Sequence, residues 1–192
     1  MRSLAVSALL AATALAACGG GGAARPAEDS PLPAGARPVG PGPRFHPPLR
    51  PRRVPACRPG LGPRDGVHLE LFARGMVVLF PAGIGTRPPR DVVSGRIARA
   101  ACFGALVTID PTGLVLLRPG TRATVGDVFA AWGRPLRARR TLGFGGRLRA
   151  WVNGVPHRGA PGAIPLRRHD EIVLEVGPYV PPHARYAFPP PF

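Results

Sequence analysis

Polar and apolar residues alternate along several short stretches of the chain, which is the pattern of β-strands with one buried face. In residues 67–72, Val67, Leu69 and Leu71 fall on one face, and His68 and Glu70 fall on the other. A short turn leads to a second apolar run at residues 76–80, so the two stretches predict a β-hairpin. We expect its polar face to be half exposed.

A second hairpin is predicted further along the chain. Residues 87–90 contain Pro and Arg and are expected to form a loop. Residues 102–109 and 114–117 are apolar runs separated by Asp-Pro-Thr-Gly, which has the composition of a type I turn. These two runs therefore predict a strand and its antiparallel return.

One segment has the spacing of an amphipathic helix. Apolar residues recur at three- and four-residue intervals through residues 124–132. Thr124 and Asp127 have the spacing of a capping box, and Gly133 is suited to the left-handed end of a helix. We predict a single helix here.

Further strands are predicted after the helix. Residues 148–152 and 171–176 alternate in polarity, and Asn153-Gly154 favours a tight hairpin turn into residues 155–158. This order of elements predicts an α+β fold that is mostly β. We expect a β-grasp-like domain of hairpin, helix and strands, preceded by an extra β-hairpin; a small β-sandwich with one helix is the alternative.

The N-terminus has the features of a secretory signal. Arg2 is followed by a mainly apolar run at residues 4–15, which is too short to span a bilayer comfortably. The sequence Leu15-Ala16-Ala17-Cys18 resembles the lipobox of bacterial lipoproteins. The resemblance implies cleavage before Cys18, lipidation of that residue, and anchoring at the extracytoplasmic face of the cell membrane.

Composition divides the rest of the chain. We predict a signal peptide at residues 1–17, a lipidated Cys with a Pro/Gly-rich disordered tether at 18–55, and one β-rich extracytoplasmic domain at 56–192 that ends in a Pro-rich tail. No later apolar run reaches about 18 residues, so no membrane-spanning helix is expected in the mature chain. The 27 Pro and 26 Gly among 192 residues exclude a helical bundle or a coiled coil.

The formal net charge is +16, and all 26 basic residues are Arg. A GC-rich genome favours Arg over Lys, so part of this charge can be coding bias. Outside the membrane, the expected counter-surfaces are acidic envelope polymers, anionic lipid or an unknown envelope protein. Nucleic acid is not expected as a partner.

Cys57 and Cys102 are the two thiols that remain if Cys18 carries lipid. An even pair in an exported protein predicts a disulfide. A redox-active pair is the alternative, but the Cys-x-x-Cys spacing of such pairs is missing.

Residues suited to catalysis are few. Ser94 lacks a Gly-x-Ser-x-Gly context, and Asp110 and Asp127 already have turn and cap roles. We therefore predict no enzymatic activity, no cofactor and no metal. The weak alternative is a metal site drawn from His68, Glu70, His157 and His169.

One strand combines Arg and Trp on a single face, a composition typical of contact surfaces. The candidate binding surface consists of Arg147, Arg149 and Trp151 with the neighbouring Arg137, Arg139 and Arg140. The alternative is that aromatic residues of the tail, Tyr179, Tyr186 and Phe188, cover Trp151.

The segment from Thr124 to Gly133, Thr-Val-Gly-Asp-Val-Phe-Ala-Ala-Trp-Gly, resembles one found in an uncharacterised family of secreted proteins and lipoproteins of high-GC Gram-positive bacteria, Thr-Leu-Gly-Asp-Phe-Phe-x-x-Trp-Gly. Similar matches, in the same order, are Val67 to Gly85, Trp151-Val152-Asn153-Gly154, Ile164-Pro165-Leu166 and His169-Asp170-Glu171-Ile172. The resemblance covers residues 57–192. A Leu-His-Thr-His-Asp motif of that family is replaced here by Leu106-Val107-Thr108-Ile109-Asp110, and only His68 remains of a His-x-His pair. If the family binds metal, the resemblance implies that this chain has lost the site.

The function expected from the sequence is therefore a non-catalytic, lipid-anchored binding or scaffolding module at the cell envelope. The alternative is a metal-binding or enzymatic accessory protein with a degenerate His site around His68.

Overall fold

The computed structural model describes residues 37–39, 46–47 and 54–192, which form a mostly β protein with one α-helix. The strands, numbered along the chain, are β1 (Arg37–Val39), β2 (Asp65–Ala73), β3 (Met76–Val78), β4 (Thr86–Val93), β5 (Arg96–Phe103), β6 (Leu106–Val107), β7 (Leu114–Leu117), β8 (Leu136–Arg137), β9 (Arg140–Thr141), β10 (Phe144–Gly145), β11 (Leu148–Val152), β12 (Val155–His157) and β13 (Glu171–Val176). The helix α1 spans Val125–Trp132, and a short 3-10 helix spans Pro161–Ala163.

The largest sheet has the strand order β1-β3-β2-β13-β11-β12, and β7 pairs with both β2 and β6. At its centre β2 runs parallel to β13, whereas β13 and β11 are antiparallel. The first predicted hairpin corresponds to β2 and β3. The sequence suggested that it precedes a separate unit of hairpin, helix and strands, but β2 lies at the middle of the same sheet as the later strands. The predicted α+β, mostly β class is confirmed; its assignment as β-grasp-like stays a prediction.

The helix forms as the sequence predicts. The hydroxyl of Thr124 accepts from the Asp127 N–H, and the Asp127 carboxylate accepts from the Thr124 N–H, which completes a capping box. Gly133 ends the helix with a φ of 71°, in the left-handed region. The apolar stripe packs into the main core, where Phe80 contacts the rings of Phe129 and Trp132.

The segment predicted as a loop at residues 87–90 belongs to a strand. It lies in β4, which pairs with β5 as a separate two-stranded sheet. The ladder shifts register between Arg87 and Arg90, so Pro88 and Pro89 occupy an irregularity where no N–H is needed. The strand predicted over residues 102–109 is correspondingly divided, because β5 ends at Phe103 and β6 begins at Leu106.

The start of the domain is attached to its body. Cys57 and Cys102 are joined as a disulfide, with their Cα atoms 5.5 Å apart. The Ala105 N–H donates to the Pro55 carbonyl, and the Val54 side chain is buried. β1, within the predicted tether, pairs in parallel with β3.

The signal peptide, Cys18 and most of the predicted tether lie outside the described residues. In the described part of the chain, no helix is long and apolar enough to cross a membrane.

Candidate metal centre

The two faces of the central sheet carry different residues, because neighbouring side chains of a strand point to opposite faces. One face of β2 contributes Leu69 and Leu71 to the core that contains α1. The other face carries His68 and Glu70. The parallel register places His68 beside Glu171 of β13, so this acidic residue lies on the same face.

Residues 177–192, named here the C-terminal strap, lie across this second face. The Val180 N–H donates to Oε1 of Glu175 at 3.0 Å, and Nδ1 of His183 lies 2.8 Å from Oε2 of Glu70. The ring of Tyr186 stacks on His68 with 3.7 Å between ring centroids.

The strap explains why the expectation of a half-exposed polar face was wrong. Relative exposure is 0% for His68 and 4% for Glu70. A Pro-rich tail has no sequence periodicity that reveals which surface it covers.

Three possible ligands converge under the strap. One ligand atom each from His68, Glu70 and Glu171 lies within 4.8 Å of the other two, and all three residues are buried. His68 Nδ1 is 2.7 Å from Glu171 Oε2. Glu171 Oε1 is buried without a hydrogen-bond partner among the described residues. His183, on Glu70, brings a fourth donor residue to the edge of the cluster.

The groups around His68 determine the orientation of its ring and which ring nitrogen carries the hydrogen. Nε2 lies 2.9 Å from the carbonyl of Thr112, and a carbonyl only accepts, so Nε2 carries the hydrogen. Nδ1 then faces the Glu171 carboxylate, and a contact of 2.7 Å between these two atoms requires a shared proton. Gly113, with a φ of 87°, lets the turn approach closely: a Cβ there would lie 3.1 Å from His68 Nε2 and closer still to the Leu69 carbonyl.

Burial raises the pKa of Glu70 to about 7, and the neighbouring Glu171 carboxylate contributes to the rise. His183 and His68 act in the opposite direction but do not cancel it. A carboxyl group with this pKa exchanges its proton near neutral pH, where a metal cation can compete with that proton.

The structure brings together part of the weak metal set named from the sequence. His68 and Glu70 are in the cluster, but His157 and His169 are not. His157 is on β12, separated from β2 by two strands, and the ring of His169 packs 4.8 Å from Phe188.

Sequence reasoning missed Glu171 and His183. The alternation in β13 showed that Glu171 points to the face opposite Ile172. It did not show that β13 pairs with β2, and this pairing is what brings Glu171 next to His68. His183 lies among prolines in the strap, where no periodic signal exists.

The predicted Arg/Trp surface is divided by the structure. Trp151 is 8% exposed and packs with Phe72 and Val173, with the Tyr179 ring 6.1 Å away. It therefore does not belong to an open surface. Arg149 is partly buried and holds Glu175 at 3.0 Å.

The remaining members of that surface are exposed. They are Arg137, Arg139, Arg140 and Arg147. They belong to the helix side of the molecule, where β8, β9 and β10 form a small three-stranded sheet next to the main core.

No protein-family model matches the chain, and comparisons with curated proteins and with solved structures also find no match. The relation to the uncharacterised secreted family stays a prediction.

Proposed function

We propose that this protein is a non-catalytic, metal-binding module at the cell envelope. The observation that carries the proposal is the buried convergence of His68, Glu70 and Glu171, whose donor atoms lie within 4.8 Å of one another. The sequence alone favoured a binding module without metal. The cluster changes that ranking, because Glu171 and the adjoining His183 were invisible as ligands in the sequence.

The donor chemistry favours a transition-metal dication such as Zn²⁺. Zn²⁺ takes His nitrogen and carboxylate oxygen in four-coordinate sites, and His68, Glu70 and Glu171 supply three such ligands, with His183 next to Glu70 at the edge of the cluster. The two carboxylates, Glu70 and Glu171, balance the charge of one dication. The dication would also give Glu171 Oε1 the partner that it lacks among the described residues.

The support around the ligands also suits a metal. Ligating histidines usually donate their second ring N–H to a carbonyl or carboxylate, which is the relation between His68 Nε2 and the Thr112 carbonyl. The three grouped residues are buried under the strap, which leaves little room for substrate. Such closure is typical of structural or storage sites and supports a non-catalytic role.

The envelope location rests on the signal peptide and lipobox sequence, and the disulfide of Cys57 and Cys102 is compatible with an oxidising compartment. A Cys18→Ser chain should leave the membrane fraction in cells if Cys18 carries the anchor. Retention of this variant in the membrane fraction would contradict lipid anchoring and leave the metal proposal to its own test.

The metal proposal is tested with the chelator-treated full chain. We expect calorimetry and native mass spectrometry to show one Zn²⁺ per chain. Glu171→Gln should weaken Zn²⁺ binding about 100-fold, because glutamine has the shape of glutamate but lacks its negative charge. His157→Gln and His169→Gln are matched controls, since both are histidines outside the cluster, and they should bind like the original chain.

Cobalt substitution gives a second readout, because Co²⁺ absorption reports the ligand geometry. His183→Gln should alter the spectrum while leaving binding by the three remaining ligands. A folded original chain that takes up no metal, or a Glu171→Gln chain that matches the histidine controls, would overturn the proposal.

A further inference from the structure

A second candidate site lies on the helix side of the molecule, outside the metal cluster. A cleft of about 470 Å³ is lined by Arg134, Arg137, Arg140, Thr141 and the turn that follows. This volume is within the usual range of small-ligand sites.

The cleft lies in a strongly basic region. Nine Arg and no acidic residue occur between Asp127 and Asp170. Among the described residues, no ion pair connects a carboxylate to Arg137 or Arg140.

The backbone holds two of these arginines beside each other. Arg137 of β8 and Arg140 of β9 are direct cross-strand partners. Like charges in this position destabilise a strand pair. An anion between the two guanidinium groups would convert the repulsion into two attractive contacts.

The side chain of Thr141 points away from this arginine pair. Its cross-strand partner is Leu136, it is only 1% exposed, and neighbouring residues of a strand point to opposite faces. The guanidinium groups of Arg137 and Arg140 are therefore the groups of the cleft that can bind a ligand.

We infer that this cleft binds a terminal phosphate group. Each guanidinium offers a fork of two N–H donors. Together, Arg137 and Arg140 offer four such donors, which are enough to engage three acceptor oxygens. A terminal phosphate has three such oxygens, whereas a carboxylate has two and a phosphodiester has two that are not bridging.

The inference is independent of the metal centre and is tested on the full chain with pyrophosphate as the probe. Calorimetry should show one pyrophosphate per chain, and Arg137→Ala with Arg140→Ala should weaken binding about 100-fold, since two charged hydrogen-bonding groups are lost. Arg158→Ala with Arg167→Ala is the matched control, because it removes the same charge from exposed positions outside the cleft.

Two conservative variants separate geometry from charge. Arg137→Lys with Arg140→Lys keeps the charge but loses the forks, and should weaken binding about tenfold. Thr141→Val keeps the shape of a side chain on the opposite face and should leave binding unchanged. Circular dichroism of each variant verifies its fold, and the double Lys variant supplies a readout if the double Ala variant is unstable.

Competition identifies the source of the phosphate. Displacement of pyrophosphate by phosphatidic acid vesicles would identify a lipid headgroup, and displacement by soluble phosphate monoesters alone would identify a free ligand; either result supports the site. Equal displacement by malonate or by phosphatidylglycerol vesicles would overturn it. So would absent binding, or an equal loss in the Arg158 and Arg167 control.

Discussion

The two faces of the central sheet are buried in different ways. On one face, α1 packs its stripe of Val128, Phe129 and Trp132 against apolar strand residues. On the other face, the irregular strap covers His68 and Glu70. The first face obtains its stability from apolar area removed from water, whereas the second keeps ionisable groups buried only because each has a polar partner. The second face also buries the apolar side chains of Phe72, Trp151 and Val173, so the comparison teaches that one face combines buried ionisable groups with apolar packing, whereas the other is purely apolar around the helix.

The largest effect should come from breaking the helix face. Trp132 is 0% exposed in the main core, so Trp132→Ala should destabilise the chain by about 3–5 kcal/mol through lost burial and a cavity. Urea unfolding measures this change. Zn²⁺ stoichiometry in the fraction that remains folded should not change; a lost metal with intact stability would mean that the two faces are not separate.

The strap face should show the stronger pH dependence. The pKa of Glu70 is raised from 4.5 to about 7, so the metal-free folded state holds this proton more tightly than the unfolded chain does. The resulting stabilisation is fully present below about pH 4.5 and is lost as pH rises through about 7, by up to about 3 kcal/mol.

Metal-free urea unfolding between these pH values measures the loss, and Glu70→Gln should flatten the slope because it cannot titrate. A variant slope equal to that of the original chain would assign the pH dependence to other groups. Added Zn²⁺ should reverse the trend, since metal binding is stronger when its ligands are deprotonated.

The contact between the strap and the sheet should have a smaller effect. Tyr186 stacks on His68, so Tyr186→Ala should reduce stability by about 1–2 kcal/mol and speed metal release. Tyr186→Leu keeps much of the apolar area and should recover part of the stability but not the aromatic contact. Stopped-flow chelation measures the release rate, and equal rates in both variants and the original chain would show that the strap does not retain the metal.

The smallest effect should come from the helix cap. Thr124→Ala removes the hydroxyl that accepts from the Asp127 N–H and should cost about 1 kcal/mol. Thr124→Ser keeps the hydroxyl and serves as the control. Metal affinity measured by calorimetry should be unchanged, and a marked loss would show that the helix face controls the site across the sheet.

Local patterns were sufficient for much of the fold. The capping box of Thr124, the left-handed Gly133 and the Asn153-Gly154 turn each depend on neighbouring residues only, and the structure has them as predicted. The loop assigned to residues 87–90 failed because its prolines fit within a register irregularity of a two-stranded sheet. Proline has no backbone N–H, but whether a strand needs an N–H at that position depends on its pairing with the neighbouring strand.

The candidate centre was only half visible in the sequence. His68 and Glu70 are two residues apart on one strand, so their shared face followed from the period of a strand. Glu171 joins them because β13 pairs in parallel with β2, more than 100 residues later in the chain. Such pairings depend on contacts between distant segments, which a single sequence does not encode in any local pattern.

The sequence by itself determined the mostly β class, the helix with its caps, the disulfide pair and the expectation of export. The tertiary structure decided that the polar face of β2 is buried, that Trp151 lies under the tail, and that Glu171 and His183 join His68 and Glu70. The physical reason is the distance along the chain over which each interaction acts. Periodicity and capping act within a few residues, whereas burial of an ionisable group depends on which distant segment covers it and supplies its partner.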